Sequence, residues 1–404
     1  QAEDGIRDGA FGLVGSEMCI RDSIKGKDMT KEYAERRARW EPLLEVTQMK
    51  GTGEAHPSLS PEDEFADFEI WDFGDSFGNP KEDWMLQYEY ARSTLKNGIR
   101  LEDKLGVNPF KYAMIGSTDT HGSMTTTREE NYFGKLPNEE PSAKRTSLPF
   151  LTDKKTGNVI VSTWQLGASG LAAVWARENT REAIFDALAR KEVYATTGNR
   201  LTVRVFAGWD FKPDEVLRAD FAAQGYARGV PMGGDLASAP AGAAPSFMIR
   251  ALRDPDGANL DRVQVIKGWL GSDGKTQERI YDVAVSDGRK IGADGRCKTP
   301  VGTTVDVADA SYTNSIGDVM LMASWKDPDF DPGARAFYYV RVIEIPTPRW
   351  PAYDAKRYGI TMPKGVTMTV QDRAYTSPIW YTPSTGFRRA GSESVERHSV
   401  CSSI

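Results

Sequence analysis

Two short stretches carry residue types that could do metal chemistry, at a spacing that could let them act together. One is the apolar run over 112–116, which leads through Ser117-Thr118 into Asp119-Thr120-His121; the other is Glu54-Ala55-His56, which follows the run over 43–50 and the turn Gly51-Thr52-Gly53. In extended backbone residues i and i+2 point to the same side, so the Asp119 carboxylate could meet the His121 imidazole, and Glu54 could meet His56. Carboxylate plus imidazole suits Zn, Mn or Fe. The chain has 3 histidines, His56, His121 and His398. Two of them share one local context, an acid two residues earlier after a strand-like run, and this repetition points to a shared metal site with Glu54, His56, Asp119 and His121 as ligands. The alternative is that both imidazoles are surface groups in turns.

The elements that must position these residues are short strands. Residues 112–116 are long enough for a buried strand and too short for a stable helix, and Asn108-Pro109 before them reads as a turn. Residues 43–50 read as a second strand, entered from a helix that Thr30 caps and that Pro42 ends near Trp40. The acidic and aromatic segment over 61–72 is expected to be a solvated helix face over a stripe of Phe65, Phe68 and Trp71. Asn79-Pro80 with Glu82 signals a helix start, with Trp84, Tyr88, Ala91 and Leu95 as the buried stripe and Gly98 as the stop. Behind the Asp119 tip, the polar stretch 123–131 could hold an anionic substrate through its hydroxyls and Arg128, or could be an ordinary helix cap with solvated charges. Residues 135–158 read as an excursion from the core, and a further helix is expected from an Asn179 cap, burying Ile184, Ala187 and Leu188.

From about Leu201 the texture changes to alternating strands around 201–206, 247–251, 263–265, 281–285, 319–325 and 337–345. The breaks between them are turn chemistry, such as Asp254-Pro255-Asp256-Gly257 and Ser272-Asp273-Gly274. This predicts an antiparallel, sandwich-like domain over 201–382. The alternating acids over 327–331 lack the glycine and closing glutamate of an EF-hand loop and read as a turn. The tail over 383–404, with His398, has no periodicity and is expected to be disordered. Residues 1–23 resemble a translated sequencing-adaptor string and are set aside as a non-native leader, which puts the true N-terminus, and any signal peptide, outside this sequence.

Composition limits what the chain can be. With 404 residues, 40% of them hydrophobic and 27% charged, it can bury a large core and should hold two domains. A net charge of −6 without a basic run gives no footprint for a nucleic-acid backbone. No apolar stretch is long enough to cross a bilayer. Cys19, Cys297 and Cys401 are too far apart for a disulfide framework or a Cys-based zinc site.

Several of these stretches resemble a known family. Residues 45–51 with 54–57, Ile115-Gly116-Ser117-Thr118-Asp119-Thr120-His121, 181–188 with Tyr194-Ala195-Thr196-Thr197-Gly198, and Gly229-Val230-Pro231-Met232-Gly233-Gly234-Asp235-Leu236 resemble a bacterial family known only as a domain of unknown function. That family looks related to the polymerase and histidinol phosphatase (PHP) superfamily of metal-dependent phosphoesterases, and the resemblance spans roughly residues 30–382. It implies a distorted β/α barrel with two or three metal ions at the strand tips, hydrolysing an ester, typically a phosphoester of a small molecule. Asp119 and His121 match the superfamily's last metal-binding motif, whereas a metal role for Glu54 and His56 comes from their spacing alone. The His-x-His motif that opens such barrels is absent, and a full barrel takes about 250 residues, so residues 24–200 are expected to be the C-terminal part of one, followed by the β-rich domain.

The functional expectation is a metal-dependent hydrolase of the PHP type. Bound Mn, Zn or Fe would generate hydroxide at neutral pH and neutralise an ester oxygen, with Arg128 orienting an anionic substrate. The segment in hand is expected to bind metal weakly and to be inactive, since a hydrolytic metal needs about three protein ligands plus an open position. The alternative is a non-catalytic binding module carried by the β-rich domain. Substrate, metal, oligomeric state and compartment are left open, a periplasmic or secreted location being compatible.

Overall fold

Strands β1 (Leu43–Gln48), β2 (Gly51–Thr52) and β3 (Ala113–Gly116) form a small sheet in the order β2-β1-β3 in the computed structural model, which describes residues 28–73 and 83–384 apart from 154, 168 and 238. The leader expected over 1–23, the tail beyond 384 with His398, and the helix start at Asn79-Pro80 lie outside the described residues. β1 and β3 run parallel, with Leu44 opposite Met114 and Thr47 opposite Gly116, so the residues that follow their C-terminal ends are brought together. β1 is entered as expected: Thr30 accepts a hydrogen bond from the Tyr33 amide at 3.2 Å and caps the helix Lys31–Trp40.

The crossover from β1 to β3 runs through the helix Ala91–Leu105. Its buried Leu95, Ile99 and Leu101 pack with Val46 and Met114 on one side and with Ile266, Phe337, Tyr339 and Trp380 of a large sheet on the other. The helix does not stop at Gly98, as its glycine suggested, but runs on to Leu105 and ends on the left-handed Gly106. A Cβ at position 98 would stand 2.3 Å from Asn108 Oδ1, so this glycine serves close packing rather than termination. Trp84, expected in the buried stripe, is exposed.

The large sheet has eight strands. Ala336–Glu344 is its hub, pairing antiparallel with Leu260–Leu270, Arg373–Thr376 and Ile379–Tyr381; Arg373–Thr376 leads on to Val193–Thr196 and Leu171–Val174. One face packs on a four-stranded antiparallel sheet of Met320–Lys326, Ser246–Leu252, Thr202–Gly208 and Gly229–Pro231, through inward residues such as Val203, Ile249, Val265 and Val340. The other face covers the helix and β1–β3, giving three layers. The alternating strands read from the sequence after 201 are therefore present, but Leu260–Leu270 and Ala336–Glu344 are buried almost throughout, because both faces of the large sheet are covered.

Of the expected α/β fold with a partial barrel, the coarser part is present. The fold is mixed α/β with sheets predominating, but among the described residues no sheet closes on itself. Leu171–Val174 and Val193–Thr196, which follow β3 in the chain, pair antiparallel with each other and join the large sheet instead of extending the β1–β3 pair. The large sheet thus takes strands from both sides of residue 200.

Two further expectations give way to charge burial. Residues 61–69 form turns rather than a helix, because Asp63 is buried against Arg92 and Arg341 while Phe65 lies under the guanidinium groups of Arg262, Arg341 and Arg373. Residues 135–158 are not wholly an excursion: Arg145 is buried in a bidentate pair with Asp354 at 2.5 and 2.9 Å and stacks on Trp350. The last helix of this half, Arg181–Ala189, is capped by Thr180 rather than Asn179, through a 3.3 Å bond from the Ala183 amide.

Candidate functional site

Asp119 follows β3 by three residues and adopts a left-handed backbone, φ 57°, a conformation that aspartate tolerates better than most residues. That turn brings its carboxylate to two ammonium groups. Lys50 Nζ, from the end of β1, lies 2.8 Å from Oδ2, and Lys135 Nζ pairs with the same oxygen while donating to the Asp119 carbonyl at 2.6 Å. Oδ1 lies 3.1 Å from His121 Nε2, which is itself 3.2 Å from Lys135 Nζ. Lys135 is buried and His121 is exposed at its ring, so the cluster presents an imidazole to solvent from a base of paired charges.

The electrostatics follow from burial and pairing. Burial alone would raise the Asp119 carboxyl, but the hydrogen bonds and charges of Lys135 and Lys50 outweigh it and hold the group below its ordinary range. Burial pulls the Lys135 ammonium down, partly offset by Asp119. Glu45, on β1 and bonded by the Ser117 hydroxyl, is pushed up by burial and by the neighbouring Asp119 charge.

Glu54 and His56 go elsewhere. Residues 53–56 are not a strand, so the i, i+2 rule does not apply there. Glu54 is buried between Arg92 at 2.5 Å and Arg341 at 3.0 Å, with the Tyr339 hydroxyl also donating to it. Asp63 shares both arginines, and Glu278 joins at Arg92, making a network that ties the 53–64 turn to the helix and to the hub strand. His56 accepts the Ser58 amide at Nδ1 (3.1 Å), which places its proton on Nε2 facing Asp72 at 3.2 Å, while its ring packs against Tyr90.

The structure therefore brings Asp119 and His121 together but does not bring Glu54 and His56 to them. Glu54 faces two guanidinium groups and Asp119 two ammonium groups, so as arranged neither carboxylate suits a cation. Among the described residues no group of three or more His, Cys, Asp or Glu side chains is arranged to hold a metal ion. Arg128 pairs with Asp256 at 3.1 Å and Glu130 at 3.5 Å on the surface.

Lys50 and Lys135 are the site residues that sequence reasoning missed. Lys50 had a signal, since it ends the strand-like run that precedes Glu54. Lys135 had none, because it reaches the cluster through a loop 14 residues beyond His121, where its carbonyl accepts the His121 amide at 2.8 Å. No helix among the described residues is long and apolar enough to cross a membrane.

A comparison with curated proteins finds no match. A family model described as a protein of unknown function, DUF3604, matches residues 15–383, beginning inside the stretch that resembles a leader and ending where the described β structure ends. With that much of its length matched, the chain belongs to the DUF3604 family.

Proposed function

We propose that this protein hydrolyses an anionic ester at the ends of β1 and β3, with Asp119 and His121 as the acid–base pair and Lys50 and Lys135 as the charges that receive the substrate. The observation that carries this is the buried Lys135 ammonium, which holds Asp119 and lies against an imidazole that faces solvent. Placing a buried charge at a strand tip costs stability unless a function or a partner offsets it.

The chemistry available to these side chains is general acid–base catalysis. With Nε2–H donating to Asp119, the His121 Nδ1 lone pair is free to take a proton from an attacking water, and Asp119 stabilises the imidazolium that results. Lys50, at the more open side of the pair, meets the developing negative charge, while Lys135 keeps the carboxylate ionised and in place. The imidazolium then returns its proton to the leaving oxygen. The resemblance of 115–121 to PHP phosphoesterases favours a phosphoester. The Mn, Zn or Fe ions which that relation implies do not fit Glu54 and Asp119 as these are paired here, and no step is assigned to them.

The test is hydrolysis of 4-nitrophenyl phosphate, sulfate and acetate by the purified protein from pH 5 to 9. His121→Ala should lower kcat/KM on the order of 100-fold or more, and Lys50→Ala should raise KM for the anionic esters more than for the acetate. Hydrolysis that is absent from all three esters, or unchanged in both His121→Ala and Asp119→Asn, would overturn the proposal.

A further inference from the structure

Behind the end of β1 lies a small cavity with about 10 Å³ of free space, room for one water-sized body. Thr47, Glu69, Glu129, Ser169, Thr197 and Asp372 are among its walls. Three of these are carboxyl groups, and their partners differ. Glu69 is neutralised by Arg349 in a bidentate pair at 2.7 and 2.9 Å. Among the described residues Glu129 accepts the Trp350 amide at Oε2 (2.6 Å), and Asp372 accepts the Thr197 hydroxyl at Oδ1 (2.6 Å). Neither makes an ion pair among the described residues, although Glu129 is buried and Asp372 half-buried.

A second feature points into the same space. Ser169 is 4% exposed, and its Oγ has no hydrogen-bond partner among the described residues, although a buried hydroxyl costs free energy when left unsatisfied. Two carboxyl groups that form no ion pair among the described residues, and a buried hydroxyl without a partner among them, therefore surround a space that fits one small body. All the side-chain donors are oxygen, which selects hard cations over the softer ones that imidazole and thiolate prefer.

We propose that this cavity is a site for one hard cation of the Mg, Ca or Mn class, held by Glu129, Asp372 and the Ser169 hydroxyl. It shares no residue with Glu54, His56, Asp119 or His121, and it does not depend on the hydrolytic proposal. In the cation-free protein a proton takes the cation's place at Glu129, whose carboxyl burial and the neighbouring acids push up to about 8. A divalent ion entering at neutral pH releases that proton.

The experiment is thermal unfolding and titration calorimetry of the chelator-treated protein with MgCl2, CaCl2 and MnCl2, in two buffers of different ionisation enthalpy. At least one cation should raise Tm saturably, bind at one site per chain and release protons at pH 7. Glu129→Gln and Asp372→Asn should abolish the shift while leaving the cation-free Tm equal or higher, since each removes an acid that forms no ion pair among the described residues. Ser169→Ala should weaken binding about tenfold, the factor that corresponds to about 1.4 kcal/mol. A cavity that holds only water gives no saturable shift with any of the three cations, and that result overturns the proposal, as does a shift that survives in both carboxamide variants. Should those variants fail to fold, unchanged affinity in Ser169→Ala together with no proton release overturns it equally.

Discussion

Nζ of Lys135 lies 3.2 Å from Nε2 of His121 and donates to the carbonyl oxygen of Asp119 at 2.6 Å, so one buried ammonium stands beside both ends of the Asp-Thr-His motif. Lys135→Met keeps the stem and removes the charge. Asp119 then keeps only Lys50, and its carboxyl rises from its depressed value. A depressed carboxyl contributes stability above its unfolded pKa and loses it as pH falls through the folded one. Lys135→Met should therefore lose about 1–3 kcal/mol at pH 7, with the gap to wild type narrowing below about pH 4. Urea unfolding at pH 7 and pH 3.5 measures both; an equal loss at the two pH values would separate Lys135 from Asp119.

The hub strand carries a second test. Arg341 is fully buried and bonds both Glu54 and Asp63, at 3.0 and 2.7 Å. Arg341→Met leaves two buried carboxylates sharing Arg92, which should destabilise the protein by about 3–5 kcal/mol. Adding Glu54→Gln should recover part of that loss. A double variant no more stable than Arg341→Met would show that the two residues do not act through one network.

Glu344 gives a pH dependence of the opposite sign. It is buried, its Oε1 has no partner among the described residues, and burial followed by the nearby Asp372 and Asp254 charges raises its carboxyl well above the ordinary range. A raised carboxyl contributes stability that is fully present below its unfolded pKa and is lost as pH rises towards the folded one. Glu344→Gln should match wild type near pH 4.5 and become relatively more stable at higher pH, by up to about 1.4 kcal/mol per pH unit. Denaturation midpoints at pH 4.5, 6 and 7.5 test this, and a difference that does not change with pH contradicts it.

Gly98 sits mid-helix, where alanine ordinarily stabilises by about 1 kcal/mol. Here a Cβ would meet Asn108, whose Oδ1 also accepts the Phe110 amide at 2.8 Å. Gly98→Ala should instead cost about 1–3 kcal/mol through overpacking, and Asn108→Ala in the same chain should reduce the penalty. Thermal unfolding of the two single variants and the double variant decides it; a stabilised Gly98→Ala would show that the contact yields.

Local pattern was enough to find the strands that carry the site and those of the second sheet, because buried alternation and turn chemistry are written residue by residue. Asp119 and His121 do meet, but through the left-handed backbone at Asp119 and not the extended geometry that their spacing assumed. The same spacing misled at Glu54 and His56. Their backbone is not extended, and the groups that claim the Glu54 carboxylate, Arg92 and Arg341, lie 38 and 287 residues away. Gly98 misled for a similar reason, since Asn108 packs against it from beyond the helix end.

What the sequence by itself determined is thus the inventory of elements and the local chemistry at each strand end. Tertiary structure decided which charges met: two lysines at Asp119, two arginines at Glu54, and an oxygen-lined cavity at Glu129 and Asp372. The physical reason is that a buried charge is settled by whatever lies within about 4 Å of it in space, and chain distance holds no record of that.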